Sequence, residues 1–255
     1  MSTDETPVDV ATIPPIRHRE ASALAATAYD RLVAAFENLD EADWGRPTDC
    51  EGWTVEHLAR HVLGAMRSAA SLRELVSQQL AVARRARQAG VNMVDAMTQI
   101  QIERASDLSR AELVAELRRS VPLAARGRRR TPGLLRAAVR FPVEIGTIRE
   151  RWSLGYLVDV ILTRDAWLHR VDVLRAVDRP ITLTADHDGR IVADIVAEWA
   201  RRHGRPFRLQ LGGPAGGVFR AGTGGEELSL DAVEFCRVLS GRASAPGLLT
   251  TPVPF

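Results

Sequence analysis

Asp165 and His169 stand four residues apart in the stretch Leu162-Thr163-Arg164-Asp165-Ala166-Trp167-Leu168-His169-Arg170-Val171-Asp172. Four residues of α-helix turn the chain by about 400°, so the two side chains share a face with Cβ atoms roughly 5–6 Å apart. A carboxylate and an imidazole so placed can grip one cation or share a proton. A plain buried Asp–His pair, or an exposed surface pair, satisfies the same spacing. A metal site needs at least a third protein ligand. The second histidine-bearing segment, Trp53 to Gly64, offers His57 and His61, again four apart. His57 lies at the N-terminal end of its predicted helix beside Glu56, close to solvent. His61 sits a turn deeper between Leu58 and Val62, which makes it the better candidate.

The elements that must position these residues follow from hydrophobic spacing and capping signals. Leu154, Leu157, Val158, Ile161, Leu162, Leu168, Val171 and Leu174 predict one long helix over Arg151 to Val177, with Asp165, His169 and Asp172 along the edge of its apolar stripe. Acids and a histidine beside a core face are costly to bury unpaired, so a metal or a hydrogen-bond network is called for. Asp172 is placed to orient His169 or to pair with Arg170 or Arg175. Thr54 reads as an N-cap opening a helix from Val55 to about Arg87, after a loop anchored by Trp44 and Trp53 and punctuated by Pro47 and Gly52.

Further helices are predicted from Ile16 to about Asn38, from Val91 to Ala105, and from Arg110 to Val121, the last opened by the Ser109/Glu112 capping box and stopped at Pro122. The run Arg126-Gly127-Arg128-Arg129-Arg130 reads as a solvated connection, with a short helix Leu134 to Arg140 after it. A helix opening at Thr184-Ala185-Asp186 and running to His203 is stopped by Gly204. Beyond it the texture changes to alternating strands at Phe207 to Leu211 and Val218 to Arg220, a helix Asp231 to Gly241, and a last strand within Leu248 to Val253.

Composition narrows the class. Of 255 residues, 45% are hydrophobic and 26% charged, the balance of an ordinary globular chain. With 34 basic against 32 acidic residues the net charge is +2, which does not support a broad nucleic-acid face. Only Cys50 and Cys236 are cysteines, far apart, so a disulfide framework is not expected and a reducing cytoplasm is. No apolar run is long enough to span a membrane, and no basic start leads into an apolar leader. The paired glycines at 212–213, 216–217 and 224–225 lack phosphate-loop spacing and read as hairpin turns.

Three blocks in order carry a resemblance: Trp44, Pro47-Thr48, Cys50, Gly52-Trp53-Thr54-Val55 and His61; then Arg164-Asp165, Trp167, His169-Arg170 and Asp172; then Glu234-Phe235-Cys236-Arg237-Val238-Leu239-Ser240-Gly241-Arg242. Together they resemble the actinobacterial mycothiol-dependent maleylpyruvate isomerase family over nearly the whole chain. The resemblance implies a mainly α fold, a DinB-like up-down four-helix bundle followed by a small α+β C-terminal domain. On this chain that means a flexible tail at 1–15, the bundle at 16–203 and the α+β domain at 204–255. It also implies a divalent metal, usually zinc, at positions matching His61, Asp165 and His169. The family's isomerase has glutamate where this chain has the shorter Asp165. The family's thiol cofactor, mycothiol, is held with the help of a C-terminal arginine, for which Arg237 and Arg242 are the candidates.

The expected function is a cytoplasmic, metal-dependent enzyme that adds or transfers a metal-activated thiolate to a small electrophile, as an isomerase or an S-transferase. The alternative from another class is a non-catalytic metal- or small-molecule-binding stress protein on the same bundle. Expected partners are the electrophile and the low-molecular-weight thiol, with no nucleic acid and no membrane, the chain acting as a monomer or homodimer.

Overall fold

The computed structural model describes residues 6–145 and 147–255. The expected tail at 1–15 therefore lies partly outside the described residues, and its remainder is not all loose: Val8–Asp9 forms strand β1. The chain is mainly α and divides into two compact units, one of residues 17–180 and one joining residues 1–16 to 181–255.

The first unit is built from α1 (His18–Glu37), α2 (Val55–Ala70), α3 (Leu72–Ala89), α4 (Met93–Glu103), α5 (Arg110–Arg129) and α6 (Gly133–Ala138). A hairpin of β2 (Arg140–Ile145) and β3 (Ile148–Ser153) follows, then the single turn α7 (Leu154–Tyr156), a π-helical turn Leu157–Ile161 and α8 (Leu162–Ala176). Helix α1 packs on α5 and α8, while α2 packs on α5, α3 and α4. Leu32, Val33, Phe36, Leu58, Leu63, Met66, Leu113, Leu117, Ala166 and Val173 fill the space between them. Burying a side chain of this size contributes roughly 1.5–3 kcal/mol, so the core outweighs any single local preference.

That weighting explains where the helices depart from expectation. The helix predicted from Val55 to Arg87 is broken at Ser71, whose backbone is extended and whose hydroxyl caps a new helix by accepting from Glu74 N–H. Leu72 and Leu80, expected on the apolar face, are largely exposed, whereas Gln78 is buried. Helix α5 does not stop at Pro122 but runs through it to Arg129. Its buried stripe Leu113, Leu117, Ser120, Ala124 and Arg128 continues across the proline, so packing carries the helix past the missing N–H.

The basic run is accordingly helical, and Arg128 is buried. Its guanidinium donates to Tyr29 Oη at 3.2 Å, Val158 O at 2.5 Å and Thr163 Oγ1 at 2.5 Å. It thereby ties α1 and α5 to the π-helical turn that leads into α8. The long helix predicted from Arg151 is shorter than expected, because residues through Ser153 pair in the hairpin, Val143 opposite Glu150 and Phe141 opposite Trp152.

The second unit contains β1, a π-helical turn Ala185–Gly189, α9 (Arg190–His203), β4 (Phe207–Gly212), β5 (Gly217–Ala221), β6 (Glu226–Asp231) and α10 (Ala232–Leu239). The sheet order is β1-β5-β4-β6, with β1 parallel to β5, β5 antiparallel to β4, and β4 parallel to β6. Phe207, Leu209 and Leu211 of β4 face inward in alternation. Helix α9 belongs with this sheet, so the units divide after Pro180 where the sequence suggests Gly204. The reason is Trp199, whose ring meets Phe207 at 4.8 Å and Phe235 at 5.4 Å between centroids and whose Nε1 donates to Leu248 O. The predicted last strand at Leu248 is instead a 3-10 turn, Gly247–Thr250. Neither cysteine is in a disulfide, and among the described residues no helix is long and apolar enough to cross a membrane.

Candidate metal centre

Helix α2 begins at Thr54, whose Oγ1 accepts the His57 N–H while His57 Nδ1 accepts the Thr54 N–H. This capping box engages Nδ1 of His57 at the helix start, and it is His61 of the pair that is buried. His61, one turn on, is buried with its ring against Trp53, 5.1 Å between centroids. The glycine three residues later, Gly64, has no room for a side chain: a Cβ there would collide with the Cβ of Gln101 on α4.

Helix α8 supplies the other half. Asp165 and His169 meet across one turn, Oδ1 to Nε2 at 3.1 Å, and the His169 ring lies edge-on to that of His61 at 5.3 Å. One donor atom from each of His61, Asp165 and His169 falls within 4.8 Å of the others. Donors bonded at about 2.0–2.2 Å to a tetrahedral zinc stand roughly 3.4 Å apart, so this spacing suits an ion. The shorter carboxylate of Asp165 reaches its neighbour without difficulty.

Behind His169, Asp172 is fully buried and its Oδ2 accepts from His169 Nδ1 at 2.9 Å and from Cys50 Sγ at 3.5 Å. The Nδ1 proton is thereby fixed and Nε2 is turned toward Asp165 and His61. Carboxylates behind ligating histidines set both the tautomer and the basicity of the ring.

The two imidazoles differ in proton affinity. Burial lowers His61 to about 4; the charge of Asp165 pulls upward, His169 pushes further down, and the amide of Gln101 pulls slightly upward. Burial also acts to lower His169, but the charge of Asp165 and hydrogen bonds with Asp165, Asp172 and Cys50 together outweigh it and raise His169 well above the usual histidine range. A proton on His169 thus occupies the place a cation would take among these groups.

His61, Asp165 and His169 are brought together inside the helical unit. Arg237 and Arg242 belong to the other unit. Arg237 lies on α10, buried, with Nη1 donating to Glu234 Oε2 and Nη2 to Arg242 O at 3.4 Å. Two residues near the triad carried no functional signal in the sequence. Cys50 stood in the first block of the resemblance with no chemical role of its own, and Gln101 was one polar residue on a helix; the three-dimensional proximity of each to a histidine is what distinguishes it.

Residues 25–174 match the family model described as the mycothiol maleylpyruvate isomerase N-terminal domain. No curated protein matches the chain. Two solved structures share its fold: a mycothiol-dependent maleylpyruvate isomerase at 20% identity and a histidine-to-alanine mutant of such an isomerase at 19%. Each comparison covers 93% of both chains with a TM-score of 0.54. The family match spans more than half the chain and includes every residue of the triad, and this protein therefore belongs to the mycothiol maleylpyruvate isomerase N-terminal domain family.

Proposed function

We propose that the protein is a mycothiol-dependent enzyme of the isomerase type in which His61, Asp165 and His169 hold a divalent metal, zinc by preference. The observation that carries this reading is the convergence of two imidazoles and one carboxylate within 4.8 Å, in a chain of this family. Three protein donors of this kind leave a position for an exogenous ligand, the arrangement of catalytic zinc sites. When bound, the ion supplies Lewis acidity that favours the thiolate of a coordinated thiol at neutral pH.

The chain's own residues divide the remaining work. His61 is held neutral by burial and offers a lone pair without first losing a proton. Asp165 contributes the negative charge that offsets the cation. Asp172 keeps the proton of His169 on Nδ1, so that Nε2 is the ligating nitrogen. Trp53 packs against the ring of His61 and helps fix its position. Bound beside His61, Asp165 and His169, mycothiol would supply a thiolate nucleophile for reversible addition to an activated carbon–carbon double bond, the chemistry by which an alkene is isomerised and the thiol regained. A substrate with a leaving group would retain the thiol instead, giving an S-transferase. Arg237 and Arg242 are the proposed contacts for the anionic or polar groups of the thiol, and the working compartment is the cytoplasm.

The test is direct. Purified protein is analysed for metal alone and after His61→Ala or His169→Ala, then incubated with mycothiol and maleylpyruvate or a panel of other electrophiles. One equivalent of zinc in the parent, lost in both variants, together with thiol-dependent isomerisation supports the proposal. Metal content indifferent to both substitutions overturns it.

A further inference from the structure

Behind His61 runs a buried polar chain that the reading above does not use. Gln101 and Gln78 are almost wholly buried, and Gln101 Nε2 donates to Gln78 Oε1 at 3.1 Å. Gln78 Nε2 donates in turn to Gly64 O at 3.0 Å and to Glu74 Oε1 at 2.9 Å, and Arg104 Nη1 donates to the same Glu74 oxygen at 2.8 Å. At the other end, His61 Nδ1 and Gln101 Oε1 are both buried and no other group satisfies either, and Gln101 stands near enough to His61 to act on its ring as a hydrogen-bonding side chain.

The direction of this chain is dictated from its outer end. Burial works against a charged Glu74, but Gln78 and Arg104 outweigh it and hold the carboxyl below its ordinary range, so it is an acceptor only. Gln78 must then present its NH2 to Glu74 and to the carbonyl of Gly64, which leaves its oxygen facing Gln101. Gln101 must present its NH2 to that oxygen, which leaves Oε1 as the atom at its free corner. An acceptor beside a buried histidine selects the tautomer that donates to it. Close approach of α4 to α2 is built in, since Gly64 is the position at which any Cβ would strike Gln101.

We propose that Gln101 is the positioning residue of His61: its Oε1 accepts the His61 Nδ1–H, Gln78 and Glu74 fix its orientation, and Nε2 of His61 is thereby kept as the nitrogen for a ligand. The arrangement repeats on α2 what Asp172 does for His169 on α8, with a neutral amide in place of a carboxylate. The metal half of this inference rests on the proposed zinc site; the tautomer half does not.

The experiment uses the full chain, stripped of metal with a chelator, and reads histidine tautomers from long-range 1H–15N correlation spectra, with His61 assigned by the signals missing in His61→Ala. Zinc affinity is measured in parallel by competition with a chromophoric chelator, and folding by thermal melting. The parent is expected to show His61 as the Nδ1–H tautomer. Gln101→Leu should lose that preference and bind zinc about 10–100-fold more weakly, the range for loss of an outer partner of a ligating histidine. Gln101→Glu, which loses the donor to Gln78 but presents only acceptors to His61, should keep the Nδ1–H form. Gln78→Leu, which frees Gln101 to flip, should give a mixture and serves as the second variant if Gln101→Leu does not fold. An Nε2–H His61 in the parent, or a Gln101→Leu protein with unchanged tautomer and zinc affinity, overturns the inference. A parent that binds no zinc removes the metal site instead, and the tautomer spectra still decide the role of Gln101.

Discussion

His61 and His169 are the same residue type, similarly buried, with rings 5.3 Å apart, yet one is pushed down to about 4 and the other raised well above the usual range. Burial is common to both, so it cannot account for the difference. What differs is the charge of the neighbours on each ring. His169 has Asp165 at one nitrogen and Asp172 at the other, whereas His61 has an amide behind it and feels a protonated His169 in front. The lesson is that two buried histidines of one cluster are made inequivalent by what stands behind them. In the proposed metal site, binding would exchange a proton on His169 for the ion, while His61 would need to lose none.

The strongest way to break the comparison is to remove either ring. Sharing the roughly 10–16 kcal/mol of a structural zinc site among four ligands assigns about 2.5–4 kcal/mol to each, a loss of roughly 70- to 900-fold in affinity. His61→Ala and His169→Ala are each expected to fall by that much in a chelator competition. A variant that retains parental affinity would show that its histidine is no ligand.

A second test uses pH on the metal-free protein, where the two histidines act in opposite windows. His61 has a folded-state pKa below the unfolded value of 6.5, so the unfolded chain binds the extra proton and stability falls as pH drops from about 6.5 to about 4. The span of the shift corresponds to about 3 kcal/mol. His169 has a folded-state pKa above 6.5, so its contribution is complete below that value and is lost as pH rises through the folded pKa. Urea unfolding of the metal-free chain should therefore show greatest stability near pH 6.5. His61→Ala should flatten the limb between pH 6.5 and 4, most cleanly in its upper half before the carboxylates begin to titrate, and an unaltered limb would contradict the burial argument.

These contrasts were only partly legible in the sequence. The Asp165/His169 spacing was, because helical periodicity is local and survives any packing. The choice of His61 over His57 was legible through Thr54, since a residue three positions after an N-cap is committed to the helix end. Gln101 was not, because its significance depends on α4 lying against Gly64, a contact between helices with no periodic signature. The passage of α5 through Pro122 was hidden for a related reason: the local rule against proline is overridden by Leu113, Leu117, Ala124 and Arg128 finding a common buried face. The hairpin at 140–153 did leave a signal, the alternation of Phe141, Val143 and Ile145 with Ile148 and Trp152, which a helix beginning at Arg151 obscured. The mainly α class with its small C-terminal α+β part was readable throughout, since it rests on the sum of many such local patterns.

Neutralising the acceptor behind His169 sharpens the comparison by making the two rings alike. Asp172→Asn keeps a hydrogen-bond acceptor but removes the charge, so His169 should move down toward His61 in proton affinity. Metal binding should weaken by about 10–100-fold. Histidine titration followed by NMR, together with zinc competition, checks both parts. If His169 kept its raised pKa in that variant, Asp165 alone would be responsible and the role given to Asp172 would be confined to orientation.

The smallest expected effect comes from lengthening the shared carboxylate. Asp165 Oδ1 already lies 3.1 Å from His169 Nε2, close to the roughly 3.4 Å separation of two ligand atoms on one zinc. In Asp165→Glu the charge is unchanged and an extra methylene must fold back along α8, a change of rotamer and not of chemistry. Such a shift costs on the order of 0.5–1.5 kcal/mol, so affinity should change by no more than about tenfold. The d–d absorption of the cobalt-substituted protein, which reports coordination number, should stay that of the parent. A loss beyond about 100-fold would mean that the backbone of α8 is set for the shorter side chain, and the inequality of the two histidines would then depend on where the carboxylate sits as well as on its charge.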